Sequence, residues 1–389
     1  MRHNIYLLSL LSTLLSVSVP ALKGQQSWVI GPWASASQTP VIGPRPESTF
    51  TDPVSGKSVH WEALHTFNPA AIVRDGQIVL LYRAEDDSGT MAIGGHTSRL
   101  GMAVSADGIH FQRYPEPVFY PARDLQVGRE SPGGVEDPRL VESPDGRYIL
   151  TYTQWSRTAH TYTIGIATST DLRHWTKFGP IFGVSGKYAH LNDKSAGIIT
   201  RVQGGRLLAA RIHGRYWMYW GEGEIHLASS RDLVHWHPLE SNDGHPKILL
   251  RRRPGKGDSG FPETGPPAVL TSHGIVLLYN GINARDATRD PAIGEGTYSV
   301  QEALFSSKHP DRLMARTDTP VLQPTLAWEE HGQYTEGTTF AEGLVLFHGY
   351  WYLYFGAADS FVGAARAPER GKHLSSEKVV AGVPPSTLR

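Results

Sequence analysis

Ser105-Ala106-Asp107-Gly108-Ile109-His110-Phe111 recurs as Ser169-Thr170-Asp171-Leu172-Arg173-His174-Trp175 and again as Ser230-Arg231-Asp232-Leu233-Val234-His235-Trp236. The pattern is Ser-x-Asp-x-x-His-aromatic, and it returns roughly every sixty residues, a spacing of the kind that marks a repeated structural unit. Each copy follows a short apolar stretch: Leu100 to Val104, Thr163 to Thr168, and Glu224 to Ala228. Each leads into a further stretch ending near Pro117-Val118, Pro180-Ile181 or Pro238-Leu239. Ser and Asp side chains bond to nearby backbone amides and so close turns. The repeated motif is therefore read as architecture, with the aromatic packing between units.

Upstream of each copy lies an aromatic-rich strand: Val79 to Arg83, Tyr148 to Tyr152, and Tyr216 to Trp220. Two weaker copies follow, with Gly274 to Asn280 leading to Ala303-Ser307, and Gly349 to Gly356 leading to Phe361-Ala365. The high Gly, Pro, Trp and Tyr content favours turns and strands over helices. Five units of about four short strands each predict an all-β chain folded as a five-bladed β-propeller. A two-sheet sandwich is the rival, but it does not require the repeated turn.

Lys and Arg number 37 against 37 Asp and Glu, so no nucleic-acid footprint is expected. The chain has no Cys, which excludes disulfides, thiolate metal sites and a thiol nucleophile. Residues 1–24 read as a signal peptide, with Arg2 and His3 ahead of the apolar run Ile5 to Val19. The mature chain, 25–389, is expected to be a single catalytic domain with an extended lead-in at 25–62. It is expected to be periplasmic or secreted and to lack a membrane span. Oligomeric state is not readable.

Gly133-Gly134-Val135-Glu136-Asp137-Pro138-Arg139 concentrates two carboxylates and a guanidinium between a Gly pair and a proline. Pro138 is expected to push Asp137 toward an extended backbone, with strands following at Leu140-Glu142 and from Arg147 to Gln154. An acid held rigidly there suits general acid catalysis. Every unit offers a carboxylate near the start of a strand: Glu85 and Asp86, Asp137, Asp193 with Glu222 and Glu224, Glu263, and Glu336 with Asp359. Such a ring suits a polyol and an acid–base reaction, and paired carboxylates are what glycosidic cleavage needs.

Phe67-Asn68-Pro69-Ala70-Ala71, Leu81 to Asp86, Ser98 to Ala103, Gly134 to Arg139 and Tyr354 to Asp359 together resemble glycoside hydrolase family 130. The resemblance runs from about Thr66 to Ala367. It implies a five-bladed propeller acting on β-mannosides. It also implies Asp137 as general acid, with Asn68, Arg83, Arg139 and Asp359 holding the mannose. Arg forks and Asp oxygens fit vicinal hydroxyls.

Family phosphorylases hold phosphate with basic groups, and two of these are replaced here, at Thr163 and at Trp220-Gly221-Glu222. That pattern resembles the β-1,2-mannoside hydrolases of the family. The expectation is an exported, inverting hydrolase of β-1,2-linked mannosides in which Glu222 and Glu263 activate water. Glu224 is held in reserve. Lys194, with Arg201 or Arg211, leaves a phosphorylase releasing mannose 1-phosphate as the alternative, and a non-catalytic glycan-binding propeller as a second. Lys194 joins the substrate-binding set. The expected partner is a mannose-containing oligosaccharide. No His-x-x-x-His or similar ligand spacing occurs, so neither metal nor cofactor is expected.

Overall fold

A computed structural model describes residues 26–369, and the expected signal peptide lies outside these residues. The regular secondary structure of the described residues is almost entirely β: one four-residue helix, Val127–Glu130, and one 3-10 turn, Ala327–Glu329, are the exceptions among them. No helix among them is long and apolar enough to cross a membrane.

Antiparallel pairing groups the strands into successive meanders. The first runs His65–Arg74, Gln77–Glu85, Ser98–Ser105, Gln112–Arg113. The second runs Gly133–Glu142, Tyr148–Ser156, Thr161–Ser169, Thr176–Pro180. The third is Ala196–Ile198, Arg215–Trp220, His226–Ser230, Trp236–Pro238. In the fourth, Phe261–Thr264 and Val269–Thr271 share the partner Gly274–Ile282, followed by Tyr298–Phe305 and Leu313–Arg316. In the last, Phe340–Phe347, Tyr350–Ala357 and Phe361–Pro368 are completed by Ala34–Ser35 from the other end of the described chain. The lead-in is thus not a loose segment. Asp52 pairs with the buried Arg99 at 2.6 Å, and Glu62 takes a bond from Tyr82 Oη at 2.8 Å.

The apolar residues explain how the meanders stack. Both faces of most strands are buried, so each meander must pack on two neighbours. Leu81 and Val79 of the first meet Leu140 and Leu150 of the second. Ile149 and Ile164 meet Met218 and Ala228 of the third. Leu227 meets Ile275 and Leu277 of the fourth, and Leu278 and Val300 meet Leu344 and Leu353 of the fifth. Tyr352 and Tyr354 then pack against Ile78 and Leu80 of the first. Each large side chain so buried contributes about 1.5–3 kcal/mol, and these interfaces hold the meanders together. Among the described residues no sheet closes on itself.

The repeated turn is built as architecture. Ser105 Oγ accepts from the Gly108 amide at 2.8 Å, and Asp107 Oδ1 accepts from the amides of Ile109 and His110, each at 2.9 Å. His110 Nδ1 lies 2.7 Å from Asp107 Oδ2. Asp171 and Asp232 make the same bonds to His174 and His235. The aromatic ends each turn against a neighbouring segment: Phe111 on Tyr354, centroids 5.8 Å apart, and Trp175 on Phe119, also 5.8 Å.

Asp171→Ala removes a side chain that accepts two backbone amides, so it should lower stability by about 1 kcal/mol, as loss of a capping carboxylate does. The His174 bond and these amides hold the Asp171 pKa below the ordinary carboxylate value. That stabilisation is present above the unfolded-state pKa and is lost as pH falls below it. Urea unfolding of both proteins at neutral pH and in acid checks this: the difference should shrink in acid, and equal midpoints at neutral pH would contradict it.

Candidate active site

Two first strands carry the same local irregularity. Phe67-Asn68-Pro69 and Glu136-Asp137-Pro138 each shift register against their partner strand. Asn68 has φ 45 and Asp137 φ 48. Asp137 is therefore left-handed and sits inside the strand Gly133–Glu142, not extended ahead of it as the proline suggests. The proline disfavours the right-handed helical region for its predecessor, and Asn and Asp are the non-Gly residues that tolerate the left-handed one. A third register shift falls between Ala341 and Gly343 and places Glu342. Gly134 has a separate reason to be Gly: a Cβ there would stand 2.3 Å from the Ser98 carbonyl oxygen of the neighbouring meander.

Arg83 organises the cluster. Its guanidinium donates to Asp137 Oδ1 at 3.1 Å and to Glu85 Oε1 at 2.6 Å, and it pairs with Glu136 Oε1 at 2.9 Å. Nε donates to Ser98 Oγ at 3.1 Å, and the group lies 4.5 Å from the Phe67 ring centroid. Asn68 Nδ2 donates to Asp137 Oδ1 at 2.8 Å. Arg139 donates to the Asp137 carbonyl at 2.9 Å and to the Thr264 carbonyl at 2.8 Å. It stands 3.0 Å from Glu342 Oε1, an ion-pair distance without hydrogen-bond alignment. Asp359, φ 50, is partly buried, and its charge acts on Arg83.

A second group lies beside the first. Lys194 Nζ is 3.3 Å from Glu222 Oε1 and 3.7 Å from Glu263 Oε1. Ser195 Oγ donates to Glu263 Oε1 at 2.5 Å, while Glu263 Oε2 is buried with no hydrogen-bond partner among the described residues. Glu222 and Glu263 face each other across an isolated antiparallel bridge. The Glu222 amide donates to Asp193 Oδ1 at 2.9 Å. Lys194 keeps 26% of its side-chain surface open, against 8% for Arg83 and 1% for Arg139.

Many acids share few cations, so their protonation diverges. Burial raises the Asp137 pKa, but Arg83, Lys194, Arg139 and the Asn68 bond outweigh it and hold Asp137 at about 2. Burial, with Asp137 and Glu85 close by, lifts Glu136 to about 7 against the pull of Arg83. Burial likewise carries Glu263 and Asp193 to about 7 and Asp359 to about 6, and it pushes Glu342 well above its ordinary value. Glu263 and Glu222 outweigh burial at Lys194 and keep it charged.

The structure thus brings together Asn68, Arg83, Asp137, Arg139 and Asp359, and beside them Lys194, Glu222 and Glu263. Glu224 instead pairs with Arg251 at 3.0 Å, Glu336 with Arg285, and Asp86 with Arg99. Arg211 is exposed and donates to the carbonyls of Gly214 and Arg231, and Arg201 is exposed on Thr200–Gln203. Sequence reading missed Glu342, which stands in the apolar run Phe340–Phe347. A lone acid in such a run was the available signal.

Residues 38–371 match the model of a family described as beta-1,4-mannooligosaccharide phosphorylase. A 1,2-beta-oligomannan phosphorylase of Thermoanaerobacter sp. (strain X514) is 30% identical over 85% of this chain and 95% of its own. A beta-1,2-mannobiose phosphorylase of the same strain is 27% identical over 79% and 92%. One solved structure comes from a report that the GH130 family of mannoside phosphorylases contains glycoside hydrolases that target beta-1,2 mannosidic linkages in Candida mannan. It superposes with a TM-score of 0.85 at 46% identity, covering 88% of this chain and 95% of that one. The curated relatives are phosphorylases. They overturn the expectation of a hydrolase with a water activated by Glu222 and Glu263. That expectation rested on the basic groups replaced at Thr163 and Trp220-Gly221-Glu222, whereas Lys194 stands beside both Glu222 and Glu263. An enzyme acting on β-mannosides is what the fold, the acid cluster and the relatives agree on, and the chain belongs to glycoside hydrolase family 130.

Proposed function

We propose that this enzyme is a phosphorylase of β-1,2-linked mannosides, built as a five-bladed propeller whose blades are the five meanders. The likeness to the 1,2-beta-oligomannan phosphorylase, across nearly all of that chain, carries the reading. The cyclic order of the five apolar interfaces supports the propeller.

In this reading Asn68, Arg83, Arg139 and Asp359 hold the terminal mannose. Lys194 receives inorganic phosphate, with Glu222 and Glu263 flanking it. A phosphate oxygen forms a bond to the anomeric carbon as the glycosidic C–O bond breaks, and attack opposite the leaving group inverts that centre. The departing oxygen takes a proton delivered through Asp137. In the free protein Asp137 is ionised, and Glu136 is the neighbouring carboxyl that stores the proton. A protonated Glu263 accommodates the phosphate anion beside Lys194, and an ionised one repels it. The basic start and the apolar run Ile5 to Val19, read as a leader, support an exported, periplasmic or secreted enzyme.

Incubation with β-1,2-mannobiose should yield mannose 1-phosphate only when phosphate is present. Equal cleavage without phosphate, releasing free mannose alone, would overturn the proposal. Asp137→Asn should lower kcat by about 10²-fold or more, the usual range for a general acid, while calorimetry still detects mannobiose binding. Unchanged turnover would remove Asp137 from this role. The KM for phosphate should rise about tenfold or more as pH climbs well above 7, because Glu263 loses its proton there. Glu263→Gln should flatten that rise, and an equally steep rise in the variant would contradict the assignment.

A further inference from the structure

His65 and Glu85 are directly opposed across the first two strands of the first meander, and Ser98, two residues after His96, is paired with Glu85 from the other side. The pairing sets two imidazoles and a carboxylate together, with ligand atoms all within 4.8 Å of one another. Glu85 is fully buried and His96 is 1% exposed. Each imidazole is held through one nitrogen. His96 Nδ1 lies 2.7 Å from the Ser88 carbonyl, so it must donate, and the lone pair is left on Nε2. That Nε2 is buried and has no hydrogen-bond partner among the described residues. His65 Nδ1 is 3.0 Å from Ser360 Oγ, which leaves its own Nε2 available. One Glu85 oxygen is held by Arg83 at 2.6 Å, and the other has only a 3.4 Å contact from Gln333 Nε2.

We propose that His65, Glu85 and His96 form a three-ligand site for a divalent metal ion of the zinc class, next to the acid cluster. Two imidazoles and one carboxylate are a known zinc donor set that keeps a position open. A ring nitrogen anchored on a backbone carbonyl is the outer-shell support that such ligands carry. Zinc binds these atoms at about 2.0–2.2 Å, so they need to draw in by under about 1 Å. A lone buried imidazole nitrogen costs stability when unpaired, and the metal satisfies it. The ion would tie the Glu85 strand end to the loop bearing His96, and so position Arg83. The ligands come from two strands and a loop, which is why no local ligand spacing announces them.

The full chain, freed of metal by chelation, should take up one equivalent of zinc. Cobalt(II) in its place should give visible d–d absorption of a low-coordinate site. His96→Gln and His65→Gln, prepared separately and each checked for folding, should weaken zinc binding by at least the roughly 10–100-fold that loss of an outer-shell partner costs, and His348→Gln, an exposed control, should not. Should one variant misfold, the other and the cobalt spectrum decide. No visible cobalt absorption, no zinc uptake near one equivalent, or equal zinc affinity in wild type and both site variants would overturn the proposal.

Discussion

One buried guanidinium, that of Arg83, carries the arrangement of the acid cluster. Taking a cation out of water costs several kcal/mol unless anions and hydrogen-bond acceptors replace the solvent. Here Glu85, Glu136 and Asp137 supply them, with Ser98 taking the remaining Nε–H. The carboxylates need the cation as much as it needs them. Three acids around one cation cannot all be ionised cheaply, and the burden falls unequally. Asp137, which also has Asn68, Arg139 and Lys194, stays charged, while Glu136 is the one pushed toward neutrality. Two adjacent residues thus end in opposite states through their surroundings alone, the general route by which one site holds both an acid and a base.

The cluster is also where the meanders meet. Asn68 of the first reaches Asp137 of the second. Arg139 of the second reaches Thr264 of the fourth and Glu342 of the fifth. Lys194, just ahead of the third, reaches Glu263 of the fourth. Apolar clusters fix consecutive neighbours pairwise, and the polar network ties together residues from all five meanders. Change at one acid therefore propagates through shared partners, and substitutions among them are expected to be non-additive.

Much of this was legible from residue types. The Ser-x-Asp-x-x-His-aromatic turns make their bonds within a few residues, so a local pattern reports them faithfully. The Gly-Val-Glu-Asp-Pro-Arg segment announced a rigid acid, although not its left-handed backbone, which depends on the register shift against the next strand. Glu342 was marked only as a lone acid in an apolar run, and the His65–Glu85–His96 grouping was not legible. Each is assembled by strand pairing between residues with no fixed spacing. The acceptor of the mannosyl group was misread for a related reason. Glu222 taken alone argues against phosphate, and the cation beside it comes from a different segment, at Lys194.

Arg83 and its neighbours leave Asp137 ionised while Glu136 keeps a proton. A neutron structure of the unliganded protein, grown in deuterated buffer at a pH about one unit below 7, locates that proton directly. Deuterium on the Glu136 carboxyl, with none on Asp137, is the predicted result. Deuterium on Asp137, with Glu136 bare, would contradict it.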